Sequence, residues 1–218
     1  SELMTHRDFS RNARSSRAVP SRVLLTEPIF TPQFGMNQPG MQASNEPVDP
    51  DTARRWETEW QALADMCRRQ VEKWQQEKMH KQWANRPLEW FGWIDVLVTS
   101  TWWDNFYALR ISEYAQPEFD DLARAMRQAM CESTPALLLP RQWHLPYITE
   151  RERQLHSIDW LLKLSTARCA RLSYRPFDGL DTEEAEMARF EKLVISQPVH
   201  ASPAEHQATP DFPSSGRD

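Results

Sequence analysis

Apolar side chains fall into a few periodic runs, and each run predicts an element. The longest is DPDTARRWETEWQALADMCRRQVEKWQQEKMHKQ (49–82), where Trp56, Trp60, Leu63, Cys67, Val71 and Trp74 recur at steps of three and four. That spacing lays one apolar stripe along a long helix. Asp49 or Asp51 can cap its start by accepting from free backbone N–H groups. With Asp49 as the cap, Pro50 takes the first helical position, where its missing N–H costs nothing. WIDVLVTS (93–100) is rich in β-branched residues and predicts a strand or a short buried segment. WWDNFYALRISEYA (102–115) and PEFDDLARAMRQAM (117–130) predict two more helices. The second of these carries Phe119, Leu122, Met126 and Met130 along one side.

STPALLLPRQWHLPY (133–147) is a connection punctuated by prolines, and SIDWLLKLSTARCARLSY (157–174) is helical over most of its length. In DGLDTEEAEMARFEKLVIS (178–196), Asp181 stands three residues before Glu184, the spacing of a capping box. Met187, Phe190, Leu193 and Val194 give that helix a buried face. Between these runs, residues 26–50 hold five prolines and both glycines of FGMNQPGMQ, so the chain turns there several times. The last 18 residues contain three prolines and few large apolar groups and are expected to be extended. The pattern predicts a single domain over 1–210 and a disordered tail over 211–218.

Composition narrows the class. The chain has 218 residues, which suits one domain or one subunit. It is 40% hydrophobic, with ten Trp and only five Gly, yet its mean hydropathy is −0.71. Bulky aromatics in a polar chain need a core, a ligand or another subunit to face. A net charge of −5 argues against a nucleic-acid partner for the bulk of the chain. Cys67, Cys131 and Cys169 are odd in number and far apart, so neither a disulfide framework nor a Cys-based zinc site is expected, and a reducing cytoplasm fits. No run reaches the roughly 18 apolar residues of a membrane span, and no signal peptide is visible.

Four segments carry candidate chemistry. THRDFSRNARSSR (5–17) holds four arginines and three serines. Guanidinium forks, hydroxyls and backbone N–H groups together make a phosphate cradle, with Ser15, Ser16 and Arg17 at its centre. A solvated basic arm is the alternative. In VHASPAEH (199–206), His200, Glu205 and His206 fit no zinc spacing, and Pro203 prevents a helix from aligning the two histidines. A loop contacting a polar ligand is preferred to a metal site there. WWDNFYALR (102–110) sets Asn105 and Arg110 among aromatics, and ARCARLSY (167–174) places Arg171 and Ser173 at a helix end. There is no G-x-S-x-G, P-loop, G-x-G-x-x-G or Cys with an evident His partner. An enzyme of this composition would leave the difficult step to a cofactor.

Together the four segments resemble the flavin-dependent thymidylate synthases, from Glu2 to about Pro210. That family's signature is Arg-His-Arg, seven residues, then Ser; here His6 and Arg7 are followed after seven residues by Ser15. NFYALR resembles the family's Asn-Phe-x-x-Leu-Arg helix. ARLSY and HASPAEH resemble its Ala-Arg-x-Ser-Tyr and His-x-Ser/Thr-x-x-Glu-His segments. Two departures stand out. Thr5 replaces the first Arg of the signature, so Arg11 or Arg14 is expected to supply the missing charge. The last two segments follow the signature instead of preceding it, an order that looks like the circularly permuted, phage-like branch of the family. That branch places a strand just before ELMTHR, ahead of Ser1.

The resemblance implies reductive methylation of uracil C5 in dUMP, with methylenetetrahydrofolate as carbon donor, FAD as cofactor and NADPH as reductant. It implies an α+β fold, a small antiparallel sheet flanked by long helices, assembled as a homotetramer with active sites shared between subunits. It assigns nucleotide contacts to Glu2, Thr5, Ser15, Ser16, Arg17 and Arg86, and gives Arg110 the catalytic task of polarising the uracil. It assigns flavin or folate contacts to His6, Arg7, Asn12, Asn105, Ser173, His200, Ser202 and Glu205, with no metal. The same chemistry on UMP, as in nucleoside-antibiotic biosynthesis, is the near alternative. A helical RNA- or protein-binding module with a basic arm, and a metal hydrolase built on His200 and His206, are the readings from other classes.

Overall fold

The computed structural model describes residues 6, 8–40, 42–44, 46–172, 179, 182–195 and 197–211. It is α+β, with a two-stranded antiparallel sheet among helices. Strand β1 (Ser10–Ala13) pairs with β2 (Val96–Thr99), Ser10 lying opposite Thr99 and Ala13 opposite Val96. The Arg14 N–H extends the ladder to the Asp95 carbonyl at 2.8 Å. WIDVLVTS thus forms a strand, as its composition predicts. The arm before it was legible only as a cradle or a solvated tail; four of its residues, Ser10–Ala13, form the partner strand.

Helix α1 (Ser21–Thr26) leads into the proline-rich loop. Helix α2 (Pro50–Gln76) starts where the cap predicts: Asp49 accepts from the Thr52 N–H at 3.0 Å, and Pro50 is the first helical residue. It stops six residues short of the predicted end, because the chain turns at Lys78, φ 60°. Residues beyond the turn form a separate short helix, α3 (Lys81–Ala84). The stripe on α2 is the expected one with a single exchange: Val71 is fully buried and Trp56, Trp60, Cys67 and Trp74 are half-buried, but Leu63 is 46% exposed and its neighbour Ala64 is fully buried in its place. Trp60 Nε1 donates to the Phe30 carbonyl at 2.7 Å, and Phe34 packs edge-on against Trp56 and Trp60. Gly35 sits inside this loop where an added Cβ would lie 2.6 Å from the Ala43 Cβ.

Helices α4 (Asp104–Arg110) and α5 (Pro117–Glu132) close over the sheet. Phe9, Phe106 and Ala123 form a core, and Val98, Trp103, Tyr107, Ile111 and Met126 pack against it. On α5 the inward position is Ala123; Leu122 and Met130, expected to face inward, are exposed. Helix α6 (Glu150–Leu155) begins with a capping box of Thr149 and Glu152. Helix α7 (Ile158–Arg171) is buried through Leu161, Leu164 and Ala167. Helix α8 (Glu183–Phe190) is capped by Thr182, which accepts from the Ala185 N–H, so Thr182 takes the place foreseen for Asp181; Asp181 lies outside the described residues. Its most buried position is Glu186, which pairs with Arg171 at 2.6 Å and with Arg189. The chain then returns to the middle of the fold, where Ala208 and His144 exchange backbone hydrogen bonds. Among the described residues no helix is long and apolar enough to cross a membrane.

Candidate functional site

The turn that follows β1 carries the first group of site residues. After Ala13 the chain leaves the sheet, and the Ala18 N–H donates to the Ser15 carbonyl at 2.9 Å, holding residues 15–18 in a tight turn. The Asn85 side chain, completely buried, donates to the Ser16 and Val19 carbonyls at 2.8 and 3.1 Å. Lys81 adds a bond to the Ala18 carbonyl at 2.7 Å. Asn85 and Lys81 thus hold this turn from outside it, leaving the Ser15 and Arg17 side chains exposed. The Arg17 N–H donates to Ser15 Oγ. No ion pair engages the Arg17 guanidinium among the described residues.

His200 comes from the other end of the chain to the same place. Its N–H donates to the Leu193 carbonyl at 3.2 Å, which ties the HASPAEH segment to the turn after α8. A cavity of about 320 Å³ is lined by Ser15, Arg17, Ala18, His80, Gln82 and His200. Among the described residues no carboxylate lines it. His80 caps α3 by accepting the Gln82 N–H on Nδ1, which leaves its Nε2 protonated and able to donate. Hydroxyl, guanidinium, amide and imidazole groups without a competing acid are a donor set suited to phosphate. His80 and Gln82 were not singled out by the sequence, since neither lies in a recognisable motif.

Next to it lies a larger cavity of about 440 Å³, walled by Val19, Leu24, Ile29, Leu88, Phe91 and Trp93, with Ser15 and Ser16 at one edge. Arg14 is committed there: it pairs with Glu27 at 2.6 Å and with Asp95 at 3.0 Å, and donates to the Trp93 carbonyl. Of the two arginines considered as replacements for the charge lost at Thr5, only Arg11 reaches toward that end, donating to the His6 carbonyl at 3.3 Å. Arg86 pairs with Glu89 at 2.9 Å, and Glu89 also accepts from the Ser16 hydroxyl.

A second group gathers on α4. Arg110 Nε donates to His6 Nε2 at 3.4 Å. His6 is buried, stacked on Phe9 and edge-on to Phe106 at 5.2 Å each. Asn105 is exposed on the same helix. Asn12 is engaged elsewhere: its amide donates to the Cys169 carbonyl at 3.2 Å and so holds the last turn of α7. Ser202 and Glu205 are exposed on the short 3₁₀ turn Ser202–Glu205. Arg110 and His6 line neither of the two cavities. Glu2, Thr5, Arg7 and Ser173 lie outside the described residues.

His206, next to Glu205, points inward and is fully buried. Its Nδ1 lies 2.8 Å from Thr99 Oγ1 on β2. Burial, reinforced by His144, pushes its pKa down to about 4, so the ring is neutral at pH 7. No group of three or more metal-ligating side chains occurs among the described residues, and His200 and His206 face different surroundings. Cys169 is buried, and desolvation raises its thiol to about 12; such a thiol is a poor nucleophile. Comparison of the chain with models of known families, with curated proteins and with solved structures finds no match.

Proposed function

We propose that the protein methylates C5 of the uracil in a uridine monophosphate, dUMP or UMP, as a flavin-dependent enzyme of the thymidylate synthase type. The observation that supports this reading most is the cavity in which Ser15 and Arg17 meet His200, with no carboxylate among its described lining residues. The resemblance assigns these residues to one site, although more than 180 positions separate them in the sequence. In this reading Ser15 and Arg17 hold the nucleotide phosphate, and His80 and Gln82 complete the donor set. Arg110, steadied by His6, donates to a uracil carbonyl and stabilises negative charge as it develops in the ring.

The exposed donors fit FAD: His200 in the cavity, Ser202 beside it in sequence, and Asn105 on α4 all present free surface. His6 and Asn12 act beneath them, fixing Arg110 and the end of α7. When bound, FAD reduced by NADPH would supply the hydride, with methylenetetrahydrofolate as carbon donor. Buried Cys169 agrees with chemistry that needs no thiolate adduct. Arg110 and Arg17 line no common cavity of one chain, and Trp83, Trp90, Trp93 and Trp102 are all more than half exposed. Both features support a homotetramer in which neighbouring copies complete each site.

The test is product formation from dUMP and UMP with methylenetetrahydrofolate, NADPH and FAD, compared by kcat/KM. A methylated nucleotide is expected, and the preferred substrate fixes the sugar. Absence of product from both, with protein that takes up no flavin, would refute the reading.

A further inference from the structure

Beside the phosphate cavity, Ser16 of the Ser15–Arg17 turn and Arg86 hold an anion, although neither side chain lines that cavity. Ser16 Oγ donates to Glu89 Oε1, and Arg86 Nη1 donates to both Glu89 oxygens, at 2.9 and 3.2 Å. Ser16 and Glu89 are 73 residues apart, so this is a tertiary contact and not only a local pair on one turn. A hydroxyl and a guanidinium converging on two oxygens is the arrangement a phosphate monoester would take. The Arg86 and Glu89 side chains are 48% and 39% exposed. Exposed pairs of this kind add little to folding stability, so breaking this one costs little. Glu89 lines the 440 Å³ cavity, which gives its carboxylate room to swing away, and Ser15 borders both cavities.

We propose that Glu89 is a built-in competitor for the phosphate: its carboxylate occupies Ser16 and Arg86 in the free protein and is displaced when a phosphate monoester binds at Ser15–Arg17. A dianion outcompetes a monoanion for the same donors, whereas a neutral nucleoside gains nothing by displacing it. Glu89 therefore lowers affinity for every phosphate ligand and sets the threshold of charge a ligand must carry. The inference rests on the phosphate reading of the Ser15–Arg17 cavity, not on the identity of the methylated product.

Calorimetric titration of the full-length chain and of Glu89→Gln tests it, with inorganic phosphate, dUMP, UMP and uridine as probes. Glu89→Gln keeps the shape and removes the charge. Binding of phosphate and of the preferred nucleotide should tighten by up to about fivefold, ~1 kcal/mol, while uridine binding stays unchanged. If a nucleotide binds, Arg17→Ala weakens it and Glu89→Gln leaves it unchanged or weaker, the Glu89 proposal fails and the nucleotide reading stands. If Glu89→Gln tightens inorganic phosphate but neither chain binds a nucleotide, the competitor role stands and the nucleotide reading fails. Equal uridine and nucleotide gains would overturn the charge argument, and loss of all phosphate binding in both chains would overturn both readings.

Discussion

At the residue scale, two arginines carry the proposal and make different predictions. Arg17 is exposed in a cavity with no acid among its described lining residues, and its proposed role is to bind charge. Arg17→Ala should weaken nucleotide monophosphate binding by about 2 kcal/mol, the scale of a charge-assisted hydrogen bond, and leave uridine binding unaltered in the same titration. Arg110 is held against His6, and in the proposed reading it meets charge that develops during reaction. Arg110→Ala should lower kcat more than it raises KM; steady-state kinetics returning a normal kcat would remove it from the mechanism. Two other residues govern the response to acid. Burial keeps His206 neutral by depressing its pKa to about 4, below the ~6.5 of an unfolded chain. The unfolded state then takes up the proton first, and stability falls as the pH drops from about 6.5 to 4. Glu152 is also partly buried, which raises its pKa, but hydrogen bonds from Arg168 and Thr149 outweigh burial and bring it to about 2. Its contribution is complete above about pH 4.5 and is lost as the pH falls toward 2. Thermal unfolding followed against pH should therefore decline in two stages, each worth about 3–4 kcal/mol at ~1.4 kcal/mol per unit. Glu152→Gln should flatten the lower stage alone.

At the element scale, the parts set by local chemistry were legible. Asp49, Pro50 and the steps of three and four fixed where α2 begins, because a cap and a periodic stripe are short-range signals. Ala64 and Ala123 are fully buried where the pattern favoured their neighbours Leu63 and Leu122, because steps of three and four both stay on one helix face and the apolar pattern does not choose between them. Strand β1 was hidden because SRNA is polar, and its pairing with VLVT depends on a segment more than 80 residues away. The buried ion network at α7 and α8 was equally illegible. A Glu at position 186 looks like a helix surface residue, yet it is fully enclosed between Arg171 and Arg189. Glu186→Ala would remove the buried carboxylate between Arg171 and Arg189 and should cost about 3 kcal/mol of stability, measurable by denaturant unfolding. A surface-like loss below 1 kcal/mol would contradict that placement.

At the scale of the molecule, the site depends on the chain's two ends meeting. The arginine-serine turn is built on β1, and β1 packs over α4 through Phe9 and Phe106. The HASPAEH loop is returned to the centre by the His144–Ala208 bridge and by His206 beneath Thr99. Motif matching found Ser15, Arg17 and His200; His80, Gln82 and Glu89 could only be found in three dimensions, because ordinary polar residues acquire a role through the cavity they line. In the proposed reading the exposed tryptophans meet further copies of the chain. Light scattering should then report an assembly larger than a monomer. The most direct test of the central claim is a difference-absorbance titration of the FAD-loaded protein with dUMP and UMP. A saturable perturbation of the flavin spectrum, weakened in Arg17→Ala, is the predicted result. Failure to retain FAD, or a spectrum indifferent to both nucleotides at saturating concentration, would contradict the account.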